Sequence, residues 1–355
     1  MSRWLFAVWV ASLFGINFDR ANAADLPKPT GDAIVSPDAK LEWLFTRTAK
    51  IEGGLTEGPA VAPDGSIYFS DIPMGSDKGM ILRFDPKTKK TTVFAEDSHK
   101  SNGLICDSEG RLLAAEGSDF GGRCVSRYDL KTGKRTVLVD RFQGKQFNAP
   151  NDICVDRMGR IYFTDPKYVG DEPRELEHRS VYRIEPDGSA IEITHDVGKP
   201  NGIAISPDGK TMYLADHDNG TDRIGSDEKA KPGAMKIYAF PLGADGKVSG
   251  PRKTILDFGD QAGCDGMTVD EKGNIYLTAR GLKRPGVLVI DPTGKEVAFI
   301  PTGMPNQPAD GAVGMPSNVE FGIGDEANVL YVTVDKSLFR VTLKVKGFHV
   351  QFAKK

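Results

Sequence analysis

Two carboxylates and two amides stand at matching points of a repeated phrase in this chain. Glu57 opens Glu57-Gly-Pro, Asn151 lies in Asn148-Ala-Pro-Asn151-Asp152, Asn201 in Pro200-Asn201-Gly-Ile and Asp265 in Cys264-Asp265-Gly-Met. Together they form an all-oxygen set carrying two negative charges. Hard cations take such ligands, and Ca²⁺ accepts an irregular shell completed by water. Without a cation, Glu57 and Asp265 would repel each other and be costly to desolvate. The plainer alternative is that Asn and Asp cap strand starts as turn residues. Turn chemistry, however, gives no reason for Glu in one copy and Asn in others.

The elements that must position these groups recur six times. Each copy enters an inner strand through polar residues, makes an Asp-Gly, Lys-Gly or Glu-Gly turn, and returns on a second strand. In the third copy the second strand is Gly159-Arg-Ile-Tyr-Phe-Thr-Asp165. A hairpin brings the chain back to the side it left, so Asn151, Asp152 and Asp165 are expected on one sheet edge. The leading polar residues, Glu57, Asn102, Asn151, Asn201, Asp265 and Asn318, recur at roughly 50-residue intervals, which suits four-stranded blades. The expected fold is all-β, a six-bladed β-propeller over residues 41–355. The lone strand 41–46 supplies the fourth strand of the last blade and hides an edge. The six leading residues then ring one mouth of the central channel. Asp71, Glu116, Asp165, Asp216, His217 and Arg280 form a tier around them.

Composition agrees with a large globular core, at 39% hydrophobic and 27% charged residues, and the net charge of −3 leaves no basic footprint for nucleic acid. The N-terminus reads as a targeting segment. Arg3 precedes the apolar run Trp4 to Ile16, which is too short to span a bilayer, and Ala21-Asn22-Ala23 fits a cleavage site. Residues 1–23 are expected to be removed, leaving a Pro-rich lead over 24–40 without periodicity and a periplasmic or secreted protein free of the membrane. An N-terminal anchor is the alternative. Cys106, Cys124, Cys154 and Cys264 are expected as buried free thiols, with a Cys106–Cys124 bridge left open.

The phrases Glu57-Gly-Pro, Ser101-Asn102-Gly-Leu, Asn148-Ala-Pro-Asn151-Asp152, Phe163-Thr-Asp165-Pro, Pro200-Asn201-Gly-Ile and Cys264-Asp265-Gly-Met-Thr-Val-Asp resemble the SMP-30/gluconolactonase/LRE family. The resemblance runs in order over about residues 50–343. It implies a six-bladed propeller with a divalent ion, usually calcium, in the channel, and Mg²⁺, Mn²⁺ or Zn²⁺ as other occupants. It places the metal ligands on Glu57, Asn151, Asn201 and Asp265, the general base on Asp265, and substrate-side residues on Asn102 and Asp165. Asn148, at the head of the same strand, and His217, at the rim, are counted with the substrate side. The implied activity is metal-assisted hydrolysis of a sugar lactone, a small-molecule substrate. Two other readings stand beside it: hydrolysis of other lactones or phosphotriesters, and a non-catalytic, ion-stabilised propeller that binds a sugar or a protein. The long connections 217–235 and 301–316 depart from the family pattern and are expected to reach toward the mouth.

Overall fold

The computed structural model describes residues 26–47, 54–226 and 229–352. The expected leader, residues 1–23, lies outside the described residues. Six four-stranded antiparallel sheets follow one another along the chain. Blade one is Leu55–Val61, Ile67–Ile72, Met80–Asp85 and Lys90–Ala95. Blade two is Ser101–Cys106, Leu112–Glu116, Cys124–Tyr128 and Arg135–Val139. Blade three is Ile153–Val155, Ile161–Asp165, Ser180–Ile184 and Ala190–Thr194. Blade four is Pro200–Ile205, Thr211–His217, Met235–Pro241 and Lys253–Asp257. Blade five is Cys264–Val269, Ile275–Ala279, Gly286–Ile290 and Glu296–Pro301. Blade six takes Pro316–Phe321, Val329–Val334 and Ser337–Thr342 from the end of the chain and Glu42–Thr46 from its beginning. The six-bladed propeller and the closing strand are both as the repeat implied.

The hairpins that join first to second strands in blades two, three and five are built by one device. Asp107, Asp156 and Asp270 each accept hydrogen bonds through Oδ1 from the backbone two and four residues on. The side chain thus mimics a backbone turn. The glycine inside each turn, such as Gly159 at φ +78°, takes the left-handed conformation that a side chain disfavours. This is the physical content of the Asp-x-x-Gly pattern.

Apolar side chains alternate along the strands and meet those of the next blade. Phe69, Phe84, Tyr331 and Leu338 fill the seam between blades one and six, and Tyr276 packs edge-on against Phe321 between five and six. All four cysteines are free and buried. At the end of the channel away from the ring, the segment Phe348–Gln351 lies across the shaft and closes a cavity of about 60 Å³ that also touches Asp152, Thr268, Asn318 and Glu320.

Candidate functional site at the channel mouth

The inner strands share an irregularity that aims their first residues at the axis. The ladder to the second strand slips between Glu57 and Ala60, Ser101 and Leu104, Pro200 and Ile203, Cys264 and Met267, and Pro316 and Asn318. Such a slip frees a residue from pairing and bends the strand. In blade three the same stretch precedes the strand, and Asn151 and Asp152 are held by Thr164 through its carbonyl and hydroxyl oxygens.

Register then assigns two tiers. Thr56 pairs with Asp71, and Glu57 follows it; Pro316 pairs with Val334, and Ser317 follows it. The upper ring is therefore Glu57, Asn102, Asn151, Asn201, Asp265 and Ser317. Asn318 was expected in this ring and sits one step deeper, in register with Gly58, Gly103, Asp152, Gly202 and Gly266. The lower tier is crowded. A Cβ on Gly103 would fall 2.5 Å from Asp152 Oδ1, and one on Gly266 2.0 Å from Asn318 Cγ. Two polar side chains fill the shaft, and four positions around them carry glycine.

Asp265 is the most engaged member of the ring. Its Oδ1 accepts a hydrogen bond from Asn201 Nδ2 at 2.9 Å, and its Oδ2 pairs with Arg280 Nη1 at 3.2 Å. Arg280 is fixed from behind by the Pro316 carbonyl at 2.9 Å. Glu57 is buried, and burial first, then the Asp265 charge, push its carboxyl well above the usual range, with Arg280 opposing. Tyr168 donates to the His217 carbonyl at 3.0 Å and accepts from Asn201 Nδ2 at 3.2 Å. Burial, followed by the Asp265 charge, keeps its hydroxyl protonated. His217 Nδ1 lies 3.0 Å from the Cys264 carbonyl. A carbonyl only accepts, so Nδ1 carries the proton and Nε2 a lone pair. Burial holds this imidazole below its ordinary pKa.

Several ring atoms have no protein partner. Glu57 Oε2 accepts the Gly58 N–H, but Oε1 accepts nothing from the described residues. The same holds for Asn201 Oδ1 and for the side chains of Asn102 and Asn151. Among the described residues no cluster of three or more His, Cys, Asp and Glu converges on a metal-sized position. Amides supply the remaining donors of this ring. Two mutually repelling carboxylates beside unpaired amide oxygens fit a hard divalent cation, not a thiophilic one.

The second tier of the sequence reading resolves differently. Asp165 is fully buried, and its oxygens accept the N–H groups of Asn148 at 2.8 Å and Ala149 at 2.6 Å. Asp216 grips Gly198 and Lys199 in the same way, and Asp335 grips Gly314 and Met315. These carboxylates clamp the turns that enter the inner strands of blades three, four and six. Asp165 and Asn148, expected on the substrate side, thus lie behind the mouth with their groups turned into the protein. The reason is local: the turn's N–H groups would otherwise be buried without acceptors. Asn148 Nδ2 is likewise spent on the Asp165 and His178 carbonyls, while its Oδ1 stays buried and unpartnered. Asp71 pairs with buried Arg47 at 2.8 Å, and Glu116 with Arg135 and Ser126.

Loops from blades one to four gather on the side of the propeller where the inner strands begin. The long connection 217–235 leans on blade three, where Ile224 N–H bonds to the Tyr168 carbonyl and Asp222 pairs with Arg174 at 2.8 Å and Arg179 at 2.6 Å. Buried Lys199 holds the same loop through Asn219 and Thr221, with its ammonium 4.5 Å from the centre of the Tyr168 ring. Between these loops lies a cavity of about 270 Å³ lined by Met74, Asp119, Asp171, Arg223 and Ile224 among others. Tyr168 and the paired Arg280 complete the site. Tyr168 has no motif of its own, but it follows Asp165-Pro166-Lys167 directly, and Lys167 takes φ +87° to place it.

The blades and the oxygen-lined mouth define a six-bladed propeller with a polar site on its axis. Residues 55–336 match the SMP-30/Gluconolactonase/LRE-like region, and the chain belongs to that family. It is 29% identical over 339 residues to a gluconolactonase of Zymomonas mobilis, covering 90% of this chain and 85% of that one. A gluconolactonase of Xanthomonas campestris, solved as a structure, superposes with a TM-score of 0.71 at 28% identity, covering 91% and 96% of the two chains. A calcium-binding regucalcin of Agrobacterium tumefaciens shares the fold at 21% identity, with a TM-score of 0.63 and coverage of 83% and 92%.

Proposed function

We propose that this chain is a carboxylic-ester hydrolase that opens a sugar lactone of the gluconolactone type at the channel mouth. Its divalent cation, calcium in the first instance, is held by Glu57, Asn151, Asn201 and Asp265. The observation that carries this reading is the set of ring oxygens left without protein partners, in a chain aligned over nearly its whole length with gluconolactonases. When bound, the cation supplies Lewis acidity, polarising the ester carbonyl and offsetting charge on its oxygen.

The chain's own groups do the rest. Asp265 takes a proton from the attacking water as the C–O bond forms, and returns it to the ring oxygen as the ester C–O bond breaks. The single product is the open-chain hydroxy acid, whose new hydroxyl is the former ring oxygen carrying the returned proton. Asn201 and Arg280, one on each Asp265 oxygen, fix the plane of that carboxylate, so little reorganisation is needed at the transition state. Neutral His217 offers Nε2 as an acceptor, and Asn102 and Asn151 offer amides, to the hydroxyls that distinguish a sugar lactone from a plain one. The cavity between the loops, with Met74 and Ile224 in its wall, favours larger lactones as a second substrate class. We place the mature enzyme in the periplasm or outside the cell on the strength of residues 1–23.

The test is hydrolysis of δ-gluconolactone, read as proton release above the spontaneous rate, with EDTA and then with Ca²⁺, Mg²⁺, Mn²⁺ or Zn²⁺ restored. Loss with EDTA and recovery with an ion is expected. Asp265→Asn is expected to lower kcat by about 10²- to 10³-fold without unfolding. Normal turnover in that variant would move the chemistry elsewhere.

A further inference from the structure

We propose that Tyr168 is a positioning residue that turns the Asn201 carbonyl oxygen toward the cation site; this rests on the cation reading above. The argument is one of hydrogen-bond direction. The backbone carbonyl of His217 can only accept, so the Tyr168 hydroxyl spends its proton there, at 3.0 Å. The phenol oxygen can then only accept from Asn201, which must present its NH₂ group, at 3.2 Å. Asp265 Oδ1 imposes the same choice from another direction, at 2.9 Å. Both amide protons are thereby committed, and Oδ1 is left facing away from Tyr168 and Asp265 with no partner among the described residues.

Asp265 alone would not fix the amide. One hydrogen bond leaves rotation about it, and a free asparagine offers either end to a cation. Tyr168 supplies the second point. The phenol is itself held on three sides. Lys199 lies over its ring, His217 packs edge-on at 6.2 Å, and the Ile224 N–H anchors its backbone. Loop 217–235 is thus connected to a ring amide through one aromatic residue.

The experiment is calcium titration calorimetry on four proteins: wild type, Tyr168→Phe, Asn201→Asp, and the double variant. Tyr168→Phe keeps the ring and removes the acceptor, and is expected to weaken calcium binding about tenfold. Asn201→Asp presents an oxygen whichever way it turns, so in that background Tyr168→Phe should change affinity less than twofold. A structural role would weaken both backgrounds alike, and that result overturns the proposal, as does an unchanged affinity in the single variant. Any loss of thermal stability from Tyr168→Phe is common to both backgrounds and leaves the comparison intact. Wild-type protein that binds no calcium would overturn the cation reading and this inference together, which separates the two failures.

Discussion

The Asn318 and Asp152 side chains share the shaft below the mouth, where both line the same small cavity, although the two residues belong to blades on opposite sides of the ring. Asp152 also takes the N–H groups of Ile153 at 3.0 Å and, from blade four, Ile203 at 3.2 Å. The shaft below the mouth is therefore filled by side chains from opposite blades, not left as an open pore.

That filling leaves no room for further side chains. Gly103→Ala and Gly266→Ala are each expected to lose about 2 kcal/mol of stability, the usual effect of overpacking, read by urea denaturation. Unchanged midpoints in both would mean that Asp152 and Asn318 can step aside.

Glu57 stands buried beside a second carboxylate, and Gln has nearly its shape without its charge. Glu57→Gln should raise the calcium concentration needed for half-maximal activity by tenfold or more, with the fold intact by circular dichroism. The same calcium dependence as wild type would remove Glu57 from the ligand set.

The pH dependence of stability has a definite sign. Burial raises Asp165 from 3.8 to about 7 and Asp71 to about 6. Between about pH 4 and 7 the folded state holds protons that the unfolded chain has released. Stability therefore falls as pH rises through that window, and each unit of displacement corresponds to about 1.4 kcal/mol. Calorimetry of the ion-free protein is expected to give a higher melting temperature at pH 5 than at pH 8. The slope should be shallower in Asp165→Asn. A rising midpoint would show these carboxylates to be ionised in the fold.

Asp222 clips the long loop to blade three through Arg174 and Arg179. Part-exposed pairs of this kind contribute about 1 kcal/mol or less, so Asp222→Ala should barely move the melting temperature. It should instead speed limited proteolysis within 217–235 and raise KM severalfold, with kcat held within about twofold. Wild-type proteolysis and KM would show that the loop keeps its place without the clip.

The blades and five of the six ring residues were legible because each copy repeats the same turn chemistry and the same polar entry. Residue 318 was misplaced because Ser317-Asn318-Val looks like Ser101-Asn102-Gly, yet the ladder pairs Pro316 with Val334 and Ser101 with Glu116. One residue of register decides which amide faces the mouth, and no sequence pattern records it. Asp165 looked functional because it is polar at a strand end. Its counterparts Asp216 and Asp335 do the same structural work, so repetition was the clue that it braces the scaffold. Tyr168 was invisible because its placement depends on a left-handed turn at Lys167 that composition does not announce.

The strand Glu42–Thr46 finds its partner Ser337–Thr342 nearly three hundred residues later, and Thr46 and Ser337 join hydroxyls at 2.6 Å. A strand made before every blade is thus among the last to be paired. Until the final blade is made, blade one has no neighbour on its open side and the chain is a curved stack with two sticky ends. Closure of so long a loop is the natural slow step in reaching the native state, and an interrupted chain would be exposed to joining its neighbours end to end.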